Sequence, residues 1–295
     1  MKVLSTAAAL LLALFSTVNA NSAMAADDVR SRTEMSMLVS GTIEVDADGK
    51  VVASNLEKEK KIPEPLRDYL RARIPLWKFA PVLQDGKPVH ANNRMDILLV
   101  ARFQPDGQMA VSVRSVRFEP TESLPKAQTV GNKRLVPPEY PKAAARTGAS
   151  GTAYLVIKVG RDGNTEEAIA EQVNLYTLGK EADMAVWRQA FADTAVQVSQ
   201  RWRFIPPTEG ELADDPYWLV RVPVTFLQMG QEPPRAGGWS VYVPGPRTPV
   251  PWADPAVPTD MRAAQVAPDA IDPHAAIRPA NPIGALVLLT PLEGA

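Results

Sequence analysis

The 295-residue chain contains two histidines, His90 and His274, and no cysteine. Without cysteine there are no disulfides, thiol nucleophiles, iron–sulfur clusters or thiolate zinc sites. A metal centre or proton relay built on several imidazoles needs more than two. His90 ends the run Asp85-Gly86-Lys87-Pro88-Val89-His90, a loop between a helix pattern and a strand pattern. With no Ser-x-Gly elbow or second histidine beside it, it reads as a surface side chain. His274 lies in a Pro-rich stretch and reads the same way. Asp214-Asp215 stand before Pro216 and a strand, so they read as turn acids rather than calcium ligands. Glu57-Lys58-Glu59-Lys60-Lys61 is a mixed charge run suited to a solvated turn. Lys133, Arg134, Lys142 and Arg146 could form a basic patch for anionic polymers, although four charges are ordinary. There is no phosphate loop and no dinucleotide fingerprint. Paired carboxylates are the one catalytic device still open, because a sequence does not show which acids converge. With 32 basic and 33 acidic residues the formal charge is -1, which excludes a binder that works by replacing phosphate counterions. The expectation is a non-catalytic chain with no cofactor, no metal and no nucleic-acid partner.

The elements that would position any site come next. Met1 to Ala25 reads as a cleavable signal peptide: Lys2, an apolar stretch centred on Leu10 to Phe15, and Ala23-Met24-Ala25 before Ala26. The apolar stretch is shorter than the roughly 20 residues of a membrane span. Export to the periplasm, with no membrane span after cleavage, is therefore expected. From Met35 to Pro120, Met37, Val39, Ile43 and Val45 alternate with polar residues, and Asp48-Gly49 turns. Leu66, Tyr69, Leu70, Ile74 and Trp77 recur at helical spacing after Pro63 and Pro65. Ile97 to Phe103 and Met109 to Val113 form a hairpin pattern around 105–107. Thr121 to Leu135 looks like a linker.

Val136 to Met229 is better organised. A short helix is expected over Pro141 to Arg146, then a strand from Ala153 to Val159 and a turn at Asp162-Gly163. Met184, Trp187, Phe191, Ala195, Val198 and Trp202 make one apolar helical stripe. Trp218, Val220, Val222, Val224 and Phe226 alternate with Tyr217, Leu219, Arg221 and Thr225, a strand with one strongly apolar face. The two segments share a layout. Asp48-Gly49 matches Asp162-Gly163, and Trp77-Lys78-Phe79-Ala80-Pro81 matches Trp202-Arg203-Phe204-Ile205-Pro206. This spacing predicts a duplicated, diverged unit whose Trp and Phe bury in a helix–sheet core. The fold class expected is α+β: two small modules, each an antiparallel sheet with helices on one face.

The second segment resembles the C-terminal domain of TonB, the energy transducer of Gram-negative envelopes. The resemblance rests on Val136-Pro137-Pro138-Glu139-Tyr140-Pro141, Gly148 and Gly151, Asp162-Gly163-Asn164, Trp202-Arg203-Phe204-Ile205-Pro206 and the final strand. It covers residues 136–229, and the first segment looks like a degenerate copy of it. The resemblance implies a three-stranded antiparallel sheet whose third strand is an edge. In that family this edge accepts an extended segment of an outer-membrane receptor by strand addition. Carried over, the partner-binding residues are Tyr217, Trp218, Leu219, Val220, Arg221, Val222, Val224, Thr225 and Phe226. The partner would be an extended peptide segment of an outer-membrane or periplasmic protein.

The chain is not a typical full-length transducer. No histidine lies between Met1 and Ala25, the Pro-rich stretch follows the domain, and Pro223 sits inside the proposed accepting strand. The leading expectation is a periplasmic binding module. A component of an energy-transducing transport system is the alternative, and a periplasmic hydrolase using carboxylates a weaker one. Residues 231–295 hold 13 prolines and no lysine. Such density excludes long helices and central strands, so the tail is expected to be extended and largely unpacked. Two states of the accepting strand follow, an open edge or one covered by the tail. The open, weakly accepting edge is the state expected.

Overall fold

β1 (Glu34–Val45) buries its side chain positions at Met37, Val39, Ile43 and Val45, the alternation that a half-buried strand requires. The computed structural model describes residues 32–104, 106, 108–122, 124–232, 238–252, 278–279 and 285–292. The expected signal peptide, His274 and part of the turn at 105–107 lie outside these. The chain is α+β, mostly antiparallel sheet with few helices. Among the described residues no helix is long and apolar enough to cross a membrane.

From β1 the chain turns at Gly49 into β2 (Val51–Leu56). α1 (Glu64–Arg73) follows, with Pro65 in its first turn, where an amide has no helical partner to lose. One 3-10 turn (Ile74–Leu76) leads to Trp77. β3 (Val82–Gln84) and β4 (Lys87–Val89) form a small hairpin, and His90 is exposed just after it. β5 (Ala91–Phe103) runs antiparallel to β1 along its length, and β6 (Met109–Pro120) runs antiparallel to β5. The first sheet thus has the order β2-β1-β5-β6. Its apolar face carries Met95, Ile97, Leu99, Val116 and Phe118, and Leu70, Ile74, Trp77 and Phe79 join the same buried cluster.

β7 (Gly131–Arg134) and the four-residue α2 (Lys142–Ala145) precede the second sheet. That sheet is built from β8 (Gly151–Gly160) and β9 (Thr165–Leu175), with α3 (Glu181–Ser199) packed on it. β10 (Arg203–Ile205) and β11 (Tyr217–Phe226) follow. The order is β9-β8-β11, all antiparallel. Met184, Trp187, Phe191, Ala195 and Val198 lie buried on one stripe of α3, in one cluster with Leu155, Ile157, Val220 and Phe226. Trp202 is buried too, but α3 ends at Ser199. The chain tightens into a turn in which the Trp202 amide donates to the Ser199 carbonyl at 3.0 Å. The expected linker 121–135 is partly built into the fold, because β7 pairs with β10.

Two features of the backbone occur in both sheets. β2-β1-β5 and β9-β8-β11 have the same order and sense. Phe79 donates to the Gly49 carbonyl at 2.8 Å, and Phe204 donates to the Gly163 carbonyl at 2.8 Å.

Described stretches of the tail are packed, in contrast to the unpacked tail expected. β12 (Ser240–Tyr242) pairs with the start of β1, and Val243 exchanges two backbone hydrogen bonds with Leu175 at the end of β9. β13 (Arg278–Pro279) pairs with β11. Further on, Phe79 pairs with Leu288. Proline density forbids helices and central strands, yet it leaves short edge strands permitted.

Candidate functional site

β11 presents three things: an apolar face, a polar face and one long backbone edge. Trp218, Val220, Val222, Val224 and Phe226 point into the core under α3 and are buried. Phe226 stacks on Phe191 with ring centres 4.6 Å apart, and the Trp218 indole Nε1 donates to the Leu212 carbonyl at 2.9 Å. These five side chains hold the strand in place and are not open to a partner. On the other face, Lys158 Nζ sits 4.8 Å from the centre of the Tyr217 ring, and the Thr225 hydroxyl lies 3.0 Å from that of Thr152. Leu219 is partly buried there.

Arg221, expected among the partner-binding residues, has a side chain engaged within the fold. It is buried, and its Nε donates to Glu171 Oε2 at 3.3 Å across the sheet. Glu171, on β9, also accepts from Arg247 of the tail at 2.7 Å. Burial pushes the Arg221 guanidinium below its ordinary value against the pull of Glu171, and the neighbouring cations Arg117 and Arg247 push the same way. A guanidinium so placed works as a structural ion pair.

The edge of β11 away from β8 is where the sequence places an incoming strand. It is not open along its whole length. Val220 pairs with Pro279 and Arg221 with Arg278, so the chain's own tail lies across the middle of the edge. This overturns the open edge as the resting state. The physical reason is that an unpaired row of amides and carbonyls gains by pairing with any extended segment in reach, and an attached segment is always in reach. The corresponding edge of the first sheet, on β5, is filled by the twelve residues of β6.

A second buried carboxylate went unread in the sequence. Glu34, at the start of β1, accepts from Arg102 Nη2 at 2.5 Å, from Arg114 Nη2 at 2.7 Å and from the Tyr242 hydroxyl at 3.1 Å. Burial works to raise its carboxyl, but the two guanidiniums prevail and hold it below the usual glutamate range. Glu34 and Glu171 each combine cations of a sheet with a tail residue, Tyr242 in one case and Arg247 in the other. Around them Gln172 Nε2 donates to the Gly245 carbonyl at 3.0 Å, and the Gly245 amide to Asn174 Oδ1 at 3.2 Å. Residues 240–248 therefore form a strap from β1 of the first sheet to β9 of the second. The one sequence signal was that the tail's basic residues are all arginine, the cation suited to forked carboxylate pairing.

The remaining sequence candidates stay apart. His90, Lys133, Arg134, Lys142 and Arg146 are exposed, and so is Asp214. Among the described residues no group of three or more His, Asp or Glu could hold a metal ion. Both buried carboxylates are paired with arginine. What the arrangement can do is hold extended chain against sheet edges. Comparison with family models, curated proteins and solved structures finds no match.

Proposed function

We propose that this protein is a non-catalytic, exported binding module of the TonB C-terminal type, which takes an extended peptide on the outer edge of β11. The natural partner is then an extended segment of an outer-membrane or periplasmic protein, met in the periplasm. One observation carries the reading. The edge that the first sheet closes with the twelve residues of β6 is met in the second sheet, among the described residues, by two, Arg278 and Pro279. Either side of this bridge, Tyr217 to Leu219 and Val222 to Phe226 have β8 on one side and, among the described residues, no strand on the other. Main-chain pairing of this kind supplies affinity, and pockets for alternate side chains supply choice. The strand order β9-β8-β11 with α3 on one face supports the resemblance stated above.

The reading is tested with the full mature chain. Extended peptides are selected against it from a random display library, and the binders' footprint is mapped by backbone amide exchange. Added protection is expected over Tyr217 to Phe226, with loss of the pairing at Arg278. Binders that protect other strands and leave β11 unchanged would sink the proposal.

A further inference from the structure

Lys78 to Ala80, the piece of chain after Trp77, corresponds to β10, the piece after Trp202. Each has one side toward its Asp-Gly turn: Lys50 bridges to Lys78 and Asn164 to Arg203. Each has a second side that accepts extended chain. For β10 the occupant is β7, a neighbour along the sequence. For Lys78 to Ala80 it is the far end of the molecule. The Ala80 amide donates to the Val287 carbonyl at 2.9 Å, and the Leu289 amide to the Lys78 carbonyl at 2.8 Å. The Lys78 amide donates to the Thr290 hydroxyl oxygen at 2.8 Å.

The inserted segment reads as a ligand would. Leu286 and Leu288 are 3% and 6% exposed and join the buried cluster that holds Trp77 and Phe79. Val287 and Leu289 point out, 43% and 48% exposed. Just past this contact, Thr290 and Leu292 border a cleft of about 110 Å³ together with Tyr69, Leu76 and Trp77. Two backbone hydrogen bonds, one hydroxyl and two leucines make a peptide-sized footprint. The first sheet already has strands on both sides of β1 and β5, and α1 on its apolar face, without this segment.

We infer that the groove along Lys78 to Ala80 is a second peptide-binding site. It takes an extended peptide with apolar side chains two residues apart and a hydroxyl residue two positions further on. Residues 285–290 are its resident occupant, held there by non-covalent contacts and therefore exchangeable. The site lies on the other sheet from β11 and stands without the reading of that strand.

The test keeps the whole protein. A protease site is placed between residues 253 and 277 and cut after folding. A labelled peptide of residues 282–292 is then added in large excess. The cut C-terminal fragment is expected to be replaced by the peptide, one per chain, with amide protection at Lys78 and Ala80. Leu286→Ala or Leu288→Ala in the peptide weakens competition at least about tenfold, and Val287→Ala less than about threefold. Three results would each overturn the inference: no peptide binding at concentrations on the order of 100 μM, binding indifferent to Leu288, or protection appearing on Tyr217 to Phe226 instead. The last would move the peptide to β11 and leave that proposal standing.

Discussion

The amide of Phe204 donates to the carbonyl of Gly163 at 2.8 Å, tying the end of a long helix's exit turn to the tip of a hairpin 41 residues earlier. Phe79 and Gly49 repeat the arrangement in the first sheet at the same distance. In both pairs the glycine has a positive φ, +75° at Gly163 and +78° at Gly49. A Cβ on either would strike the carbonyl oxygen of the phenylalanine.

Gly49→Ala and Gly163→Ala are therefore expected to destabilise the fold by at least roughly 1–3 kcal/mol each, from the left-handed backbone alone. The collision adds to this. Urea denaturation of each variant measures it. A loss under about 0.5 kcal/mol would show that the hairpin tip relaxes freely.

Trp187→Ala and Trp202→Ala are expected to cost roughly 3–5 kcal/mol apiece, because both rings are buried in the second core. Trp202→Phe keeps most of the ring. It loses the bond from Nε1 to the Val136 carbonyl, 2.7 Å long, and leaves that acceptor unmet. About 1–3 kcal/mol is expected there. Equal losses for the Phe and Ala variants would mean that the hydrogen bond, rather than burial, governs this position.

Glu34 makes stability depend on pH, and the sign follows from its lowered folded-state value. The unfolded carboxyl titrates near ~4.3. Above that, the ion pairs with Arg102 and Arg114 contribute fully. As the pH falls below it the unfolded chain takes up the proton first, and the contribution shrinks until the folded carboxyl is protonated as well. Glu34→Gln should be less stable than the parent at pH 7, with the gap closing below about pH 4. Thermal melts across that range decide it, and a constant gap would remove Glu34 from the account.

Arg247→Ala should loosen the strap without melting the sheet. Glu171 keeps Arg221, so the second core persists, while the tail loses a bond at 2.7 Å. Amide exchange at Val243 and Leu175 should speed up, with Leu155 to Ile157 on β8 unchanged. Acceleration spread evenly over β8 would show that strap and sheet open as one unit.

Mass spectrometry of the protein purified from an exporting host should give a mature chain beginning at Ala26. A chain beginning at Met1 would remove the case for periplasmic action.

The sheets were legible because their signals are local. Alternation from Met37 to Val45 and from Trp218 to Phe226 marks strands with one buried face, and the Asp-Gly pairs mark the hairpin tips. The end of α3 was misread by one turn, since Trp202 keeps the stripe's spacing although the backbone has already left the helix. The strap and the covered edge were not legible at all. Tyr242 meets Glu34 from 208 positions away, and Arg278 meets Arg221 across 57. Nothing in a window of neighbouring residues records such pairs. The proline count pointed the wrong way, because it speaks against helices and is silent on single edge strands. The burial of Arg221 was not legible for a related reason. Alternation assigns a charged residue to the outer face, but only the fold supplies Glu171 as the partner that lets Arg221 be buried there.

The strap also sets an order of events at synthesis. Glu34 emerges early, and its tyrosine partner is made more than 200 residues later. At typical translation speeds the interval is roughly 10–40 s. Through that time β1 lacks its companion at Glu34 to Ser36, and β9 lacks its companion at Leu175 for the shorter time that separates Leu175 from Val243. Unpaired edges of this kind invite association between nascent chains. A strap made this late is thus what closes these two edges, and truncation between residues 230 and 239, after β11 is complete, should yield protein that folds its sheets yet clumps.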